Sequence, residues 1–101
     1  MAETELEDFL ILRELEEPIT QEQLQAVDER STACRRELED AGMTVRAVES
    51  EVLTDRDGNV TGTHCHYRAE SEDAVREHAS RAELPLSRID RPGPPLGGDF
   101  K

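Results

Sequence analysis

Apolar positions along this chain follow two rhythms, one repeating every two residues and one every three to four, and their succession predicts the elements. Residues 9–15, Phe-Leu-Ile-Leu-Arg-Glu-Leu, form a short apolar run between acids and Glu16-Glu17-Pro18, the pattern of a buried strand. Thr20 and Gln23 form a capping-box pair that opens a helix, along which Leu24, Val27, Ser31, Cys34, Leu38 and Ala41 recur at helical spacing. Gly42 closes it. From residue 43 to 54 the rhythm returns to two, with Val48 and Val52 on one face and Glu49 and Glu51 on the other. Asp57-Gly58 is a strong hairpin signal, and residues 60–69 supply the partner strand. Residues 55–59 faintly echo an aspartate-rich calcium loop but lack its spaced acids and distal glutamate, so they read as a turn. Ser71 caps a second helix whose less polar side carries Ala74, Val75, His78, Ala79 and Ala82; Leu84-Pro85 ends it, and residues 86–89 suit a last short strand.

The order strand, helix, strand, strand, helix, strand, with right-handed crossovers, predicts an α+β ferredoxin-like βαββαβ sandwich. Its four-stranded antiparallel sheet carries both helices on one face. Residues 1–90 form the single domain, and residues 91–101, rich in proline and glycine, form a flexible tail. The uncovered face is where small domains of this type pair, which makes a homodimer through the open sheet face the expected partner arrangement.

Composition narrows the function classes. The chain carries 24 acidic against 12 basic residues, net charge −12, so it repels phosphate backbones and anionic membranes and excludes nucleic acid and membrane surfaces as partners. Lys101 is the one lysine. That composition suits a halophile-like protein kept soluble in very high salt, and equally an ordinary acidic protein encoded in GC-rich DNA. Met-Ala-Glu-Thr-Glu-Leu-Glu-Asp has neither a basic nor an apolar leader region, and no run of eighteen apolar residues occurs, so the expected location is cytoplasmic. Cys34 and Cys65 make no disulfide framework there and read as free buried thiols.

Candidate chemistry concentrates in His64-Cys65-His66-Tyr67 and in His78 on the following helix, which together hold every histidine of the chain. A two-residue turn at Asp57-Gly58, or a four-residue loop at 56–59, places Glu51 opposite His64 and Glu49 opposite His66 on one sheet surface. An odd-length, bulged loop shifts this pairing. Imidazole and carboxylate donors together suit nickel, zinc, copper or iron. The same quartet also reads as ordinary cross-strand Glu and His hydrogen bonds on a wet or dimer-facing surface, each worth ~0.2 to 1 kcal/mol. Cys65 points to the opposite face, so His64, Cys65 and His66 do not all bind one ion. His78, inward on its helix, is placed either to approach Cys65 or to rest as a satisfied, partly buried histidine.

Several segments resemble a bacterial and archaeal domain-of-unknown-function family that includes a small nickel-responsive, nickel-binding protein. The likeness is carried by Thr63-His64-Cys65-His66-Tyr67-Arg68-Ala69, Glu72-Asp73-Ala74-Val75-Arg76-Glu77-His78-Ala79, Arg81-Ala82-Glu83-Leu84-Pro85 and Arg88-Ile89. Ile11 with Arg13 and Val45-Arg46-Ala47-Val48-Glu49-Ser50 add to it, so that it spans about residues 9–89. The resemblance implies a ferredoxin-like homodimer and, for some members, nickel binding, with Cys65 and His78 as the inherited part of any site. Glu49 stands where that family has histidine, Ala47 and Glu51 where it is aromatic, and Leu12 where an acid is usual. His64 and His66 occupy positions that are usually aromatic or aliphatic there.

Three function classes follow. The first is a non-enzymatic transition-metal protein for buffering or sensing, with nickel as the ion, zinc or copper as substitutes, and Glu49, Glu51, His64, Cys65, His66 and His78 as candidate ligands. The alternatives are a barrel-type enzyme that uses the open face and a histidine base, and a dimeric module that binds a small molecule or protein. Against the enzyme, the sequence has no nucleophile with an adjacent base and orienting acid, and no phosphate loop.

Overall fold

A computed structural model describes residues 5–99; the expectations for the first four residues and for Phe100 and Lys101 of the tail lie outside the described residues. The elements run β1 (Glu7–Ile19), α1 (Gln21–Asp40), β2 (Val45–Thr54), β3 (Val60–Ala69), α2 (Glu72–Arg81) and β4 (Arg88–Asp90). The sheet order is β2-β3-β1-β4 with every pairing antiparallel, the ferredoxin-like α+β arrangement expected from the hydrophobic pattern. No described helix is long and apolar enough to cross a membrane.

Local chemistry fixes the helix ends. Thr20 N donates to Gln23 Oε1 at 2.9 Å and Gln23 N to Thr20 Oγ1 at 3.1 Å, completing the capping box of α1. At the other end Gly42, at φ +91°, turns the chain so that Met43 N reaches Leu38 O at 2.8 Å. Ser71 Oγ accepts from Ala74 N at 3.1 Å to open α2. This helix stops at Arg81, ahead of the expected Leu84-Pro85 signal, because Glu83 takes a left-handed conformation at φ 55° and Leu84 N returns to Ala79 O at 2.9 Å.

β1 is longer than its apolar run, continuing through Glu16-Glu17-Pro18 to Ile19, which faces Val60. Its register shifts between Glu14 and Ile19. That interruption relieves Pro18 of the ladder hydrogen bond it cannot donate. Ser31, Cys34 and Leu38 are the buried positions of α1, while Ala41, at the end of the expected stripe, is exposed. Leu38 meets Phe9 and Ile11 of β1, Val45 of β2, Cys65, Tyr67 and Ala69 of β3, and Ala74 and Val75 of α2 in one core. Both cysteines are free and buried.

Two positions in this core constrain its stability. A Cβ on Gly62 would lie 2.2 Å from the backbone oxygen of Arg13, so β1 and β3 approach closely only because that atom is missing. His78 is fully buried and its Nε2 lies 3.2 Å from Ser31 O and 3.1 Å from Ser31 Oγ. A carbonyl only accepts, so Nε2 carries the proton, and the bare Nδ1 has no partner among the described residues. Burial lowers the His78 pKa to about 4; the nearby Arg13 and Arg35 guanidinium groups act in the same direction and the Ser31 backbone bond opposes them.

Gly62→Ala is expected to destabilise by about 1 to 3 kcal/mol through overpacking against backbone. Urea melts of Gly62→Ala and Gly42→Ala test this, since nothing lies within 4 Å of a Cβ at Gly42 and only its positive φ is penalised. For His78, the folded-state pKa of about 4 lies below the ordinary 6.5, so the unfolded chain binds the extra proton first as pH falls. The stabilisation is complete above pH 6.5 and drains away toward pH 4, about 3 kcal/mol in all. Wild-type stability is expected to fall more steeply across that window than that of His78→Gln, and equal slopes would refute the assignment.

Candidate metal site on the open sheet face

Side chains on β3 alternate between the helices and the uncovered face. Cys65, Tyr67 and Ala69 are buried in the core, and His64 and His66 stand half-buried on the other side. β1 sets Leu10 beside His66 and Leu12 beside His64, and β4 adds Asp90 beside Leu10 and Arg88 beside Leu12. On the other flank β2 sets Glu49 beside His66 and Glu51 beside His64. Each histidine therefore sits between a half-buried leucine and an exposed glutamate.

That pairing arises by a route different from the one the turn signal suggested. The connection is odd in length: Thr54 faces Val60, and Asp55 N donates to Asn59 O at 2.9 Å around Arg56-Asp57-Gly58. Gly58, at φ +84°, and Asp55 Oδ1, which accepts from Asp57 N and Asn59 N, shape the turn. The shift this causes is undone at once by a bulge at Thr61, so Leu53 faces Gly62 and the glutamates meet the histidines as expected. A second bulge at Val48 returns Ala47 to Tyr67 and ends the simple alternation expected of β2.

Within this face one contact is formed that the sequence did not announce. His66 Nε2 lies 2.8 Å from Asp8 Oδ1, and Arg68 Nε lies 3.4 Å from the same oxygen. Asp8 faces Arg68 across β1 and is therefore diagonal to His66. The acids before Phe9 mark only the boundary of the apolar run, yet β1 begins at Glu7 and its two-residue period places Asp8 on the same face as Leu10 and Leu12. The carboxylate accepts, so Nε2 of His66 donates, and in the neutral ring Nδ1 keeps its lone pair.

The two core-side candidates are separately engaged. Cys65, 4% exposed, donates from Sγ to Thr63 Oγ1 at 3.4 Å. His78 bonds across to Ser31 of α1 and lies against Tyr67, ring centroids 5.5 Å apart. Among the described residues, no group of three or more His, Cys, Asp or Glu side chains is gathered at the spacing of a metal site. The donor types on the open face suit a borderline ion, but one chain alone presents them as adjacent pairs rather than as a closed ligand set.

Comparison with known proteins agrees with this architecture. The fold matches the crystal structure of SCO4226 from Streptomyces coelicolor A3(2) with a TM-score of 0.64, over 90% of this chain and 99% of that one, at 18% sequence identity. None of the curated proteins matches the chain. Residues 9–91 match the family described as nickel responsive protein SCO4226-like, a span that takes in every candidate ligand and both helices. The chain thus belongs to the nickel responsive SCO4226-like family.

Proposed function

We propose that this protein binds a transition-metal ion, nickel foremost, without catalysis, to buffer or sense it. The observation that carries the reading is the pairing of Glu49 with His66 and Glu51 with His64 on the uncovered face of the sheet. The family description adds a response to nickel. His66 strengthens it, because a ligating histidine commonly donates its second ring nitrogen to a carboxylate, and Asp8 stands at that position. The Nδ1 lone pair of His66 then serves as the donor to the ion.

A homodimer formed through this face supplies what one chain lacks. Leu10 and Leu12 lie half-buried between the strands, and pairing two such faces would remove them from water while bringing a second set of imidazole and carboxylate donors to the first. Metal binding and dimerisation are linked in this arrangement, each strengthening the other.

Untagged protein prepared without chelator is expected to retain near-stoichiometric nickel after dialysis, and to lose it as pH falls and the imidazoles protonate. His64→Ala combined with His66→Ala should weaken nickel uptake by at least about tenfold, and Asp8→Asn by about 10- to 100-fold through its effect on His66. Cys65→Ser and His78→Ala should leave uptake unchanged. Loss of binding in those two variants instead would move the site to the core side of β3, and failure of the wild type to take up nickel or zinc would end the metal reading.

A further inference from the structure

Against a net charge of −12, one groove of the surface is basic. It lies between α1 and β2, has a volume of about 310 Å³, and is lined by Thr32, Arg35, Arg36, Glu39, Arg46 and the small apolar Val45 and Ala47. Three guanidinium groups there share a single carboxylate. Glu39 is turned to Arg46, whose Nε and Nη2 reach its Oε1 at 3.2 and 2.8 Å, and among the described residues Arg35 and Arg36 form no ion pair.

Arg35 is also held in place without being neutralised. Its Nη1 donates to Ser31 Oγ at 2.6 Å and Tyr67 Oη at 3.3 Å, and its Nη2 donates to Thr32 Oγ1 at 3.2 Å. Its guanidinium carbon lies 5.5 Å from the centre of the Tyr67 ring. All of these partners are uncharged, so they fix the fork and leave its charge and its remaining N–H donors uncompensated. In a chain whose carboxylates outnumber its cations twofold, a half-buried arginine held by neutral oxygens marks a place where the missing anion comes from outside.

We propose that this groove binds a small phosphate-bearing anion. Planar guanidinium forks on α1 and β2 match the several oxygens of a phosphoryl group, and Val45 and Ala47 offer an apolar floor for the rest of the molecule. Glu39 acts as the internal competitor, occupying Arg46 until the ligand arrives. The chain as a whole repels anions, so the groove works by contact rather than by long-range attraction; at physiological salt, charges beyond ~8 Å are screened.

The test is a titration of the isotope-labelled full chain with inorganic pyrophosphate at constant physiological ionic strength, following backbone amides and arginine Nε–Hε signals. Citrate serves as the polycarboxylate arm and added chloride as the control. Saturable shifts confined to residues 32–39 and 45–47 and to the side chains of Arg35, Arg36 and Arg46 are expected. Arg36→Gln and Arg46→Gln, both at exposed positions, should each weaken binding roughly tenfold. Glu39→Gln should tighten it by about threefold, an opposite sign that general loss of structure does not produce. Arg81→Gln on α2 should change nothing. Absence of saturation at millimolar pyrophosphate, equal affinity in the Arg36 and Arg46 variants, or citrate binding as tightly as pyrophosphate would each overturn the proposal.

Discussion

The two-residue alternation of β3 is the constraint on which both faces of the molecule depend. β3 lies between β1 and β2, so a slip of one residue would send His64 and His66 into the core and expel Cys65, Tyr67 and Ala69. Tyr67 makes such a slip costly. It faces Phe9 across the ladder, is 3% exposed, and stands among Arg13, Arg35 and His78, in a core otherwise built largely of alanine, valine and a few larger aliphatics. With so few aromatic side chains in the sequence, this cross-strand pair supplies a large share of the contact area that locks the register.

Most of the fold was legible because its signals are local. Thr20 with Gln23, Gly42, Ser71 and Gly58 each satisfy or redirect the backbone within a few residues, and the apolar period between them names the element. What escaped the sequence was tertiary. Pro18 inside β1 reads as a stop until the register shift beside it is known, and the odd hairpin loop reads as a fatal offset until the bulge at Thr61 cancels it. The Glu49 with His66 and Glu51 with His64 pairing was therefore anticipated correctly from a loop length that the chain does not use. Asp8 was missed for a related reason: its contact with His66 is set by the strand partner across β1, not by anything near it in sequence. The partner of His78 on α1, Ser31, was likewise hidden, since a helical stripe shows which residues face inward but not which of them touch.

The core also shows why position 13 takes arginine rather than lysine. Arg13 is 4% exposed and, among the described residues, meets no carboxylate; its Nη1 donates to Pro85 O at 2.9 Å, its guanidinium carbon lies 5.7 Å from the Tyr67 ring centre, and Nη2 has no protein partner. A lysine ammonium at this site would be a strongly hydrated point charge, without the flat surface that a guanidinium lays against an aromatic ring. Arg13, Arg35 and Tyr67 thus form a cationic cluster under the helices, and the neutral His78 beside it follows from that charge as well as from burial. The opposite face carries imidazoles flanked by carboxylates, with His64 beside Glu51 and His66 beside Glu49 and Asp8. One thin sheet therefore separates an interior that holds Arg13 and Arg35 against Tyr67 from a face of imidazoles and carboxylates, and the alternation of β3 decides which of its side chains meets which surroundings.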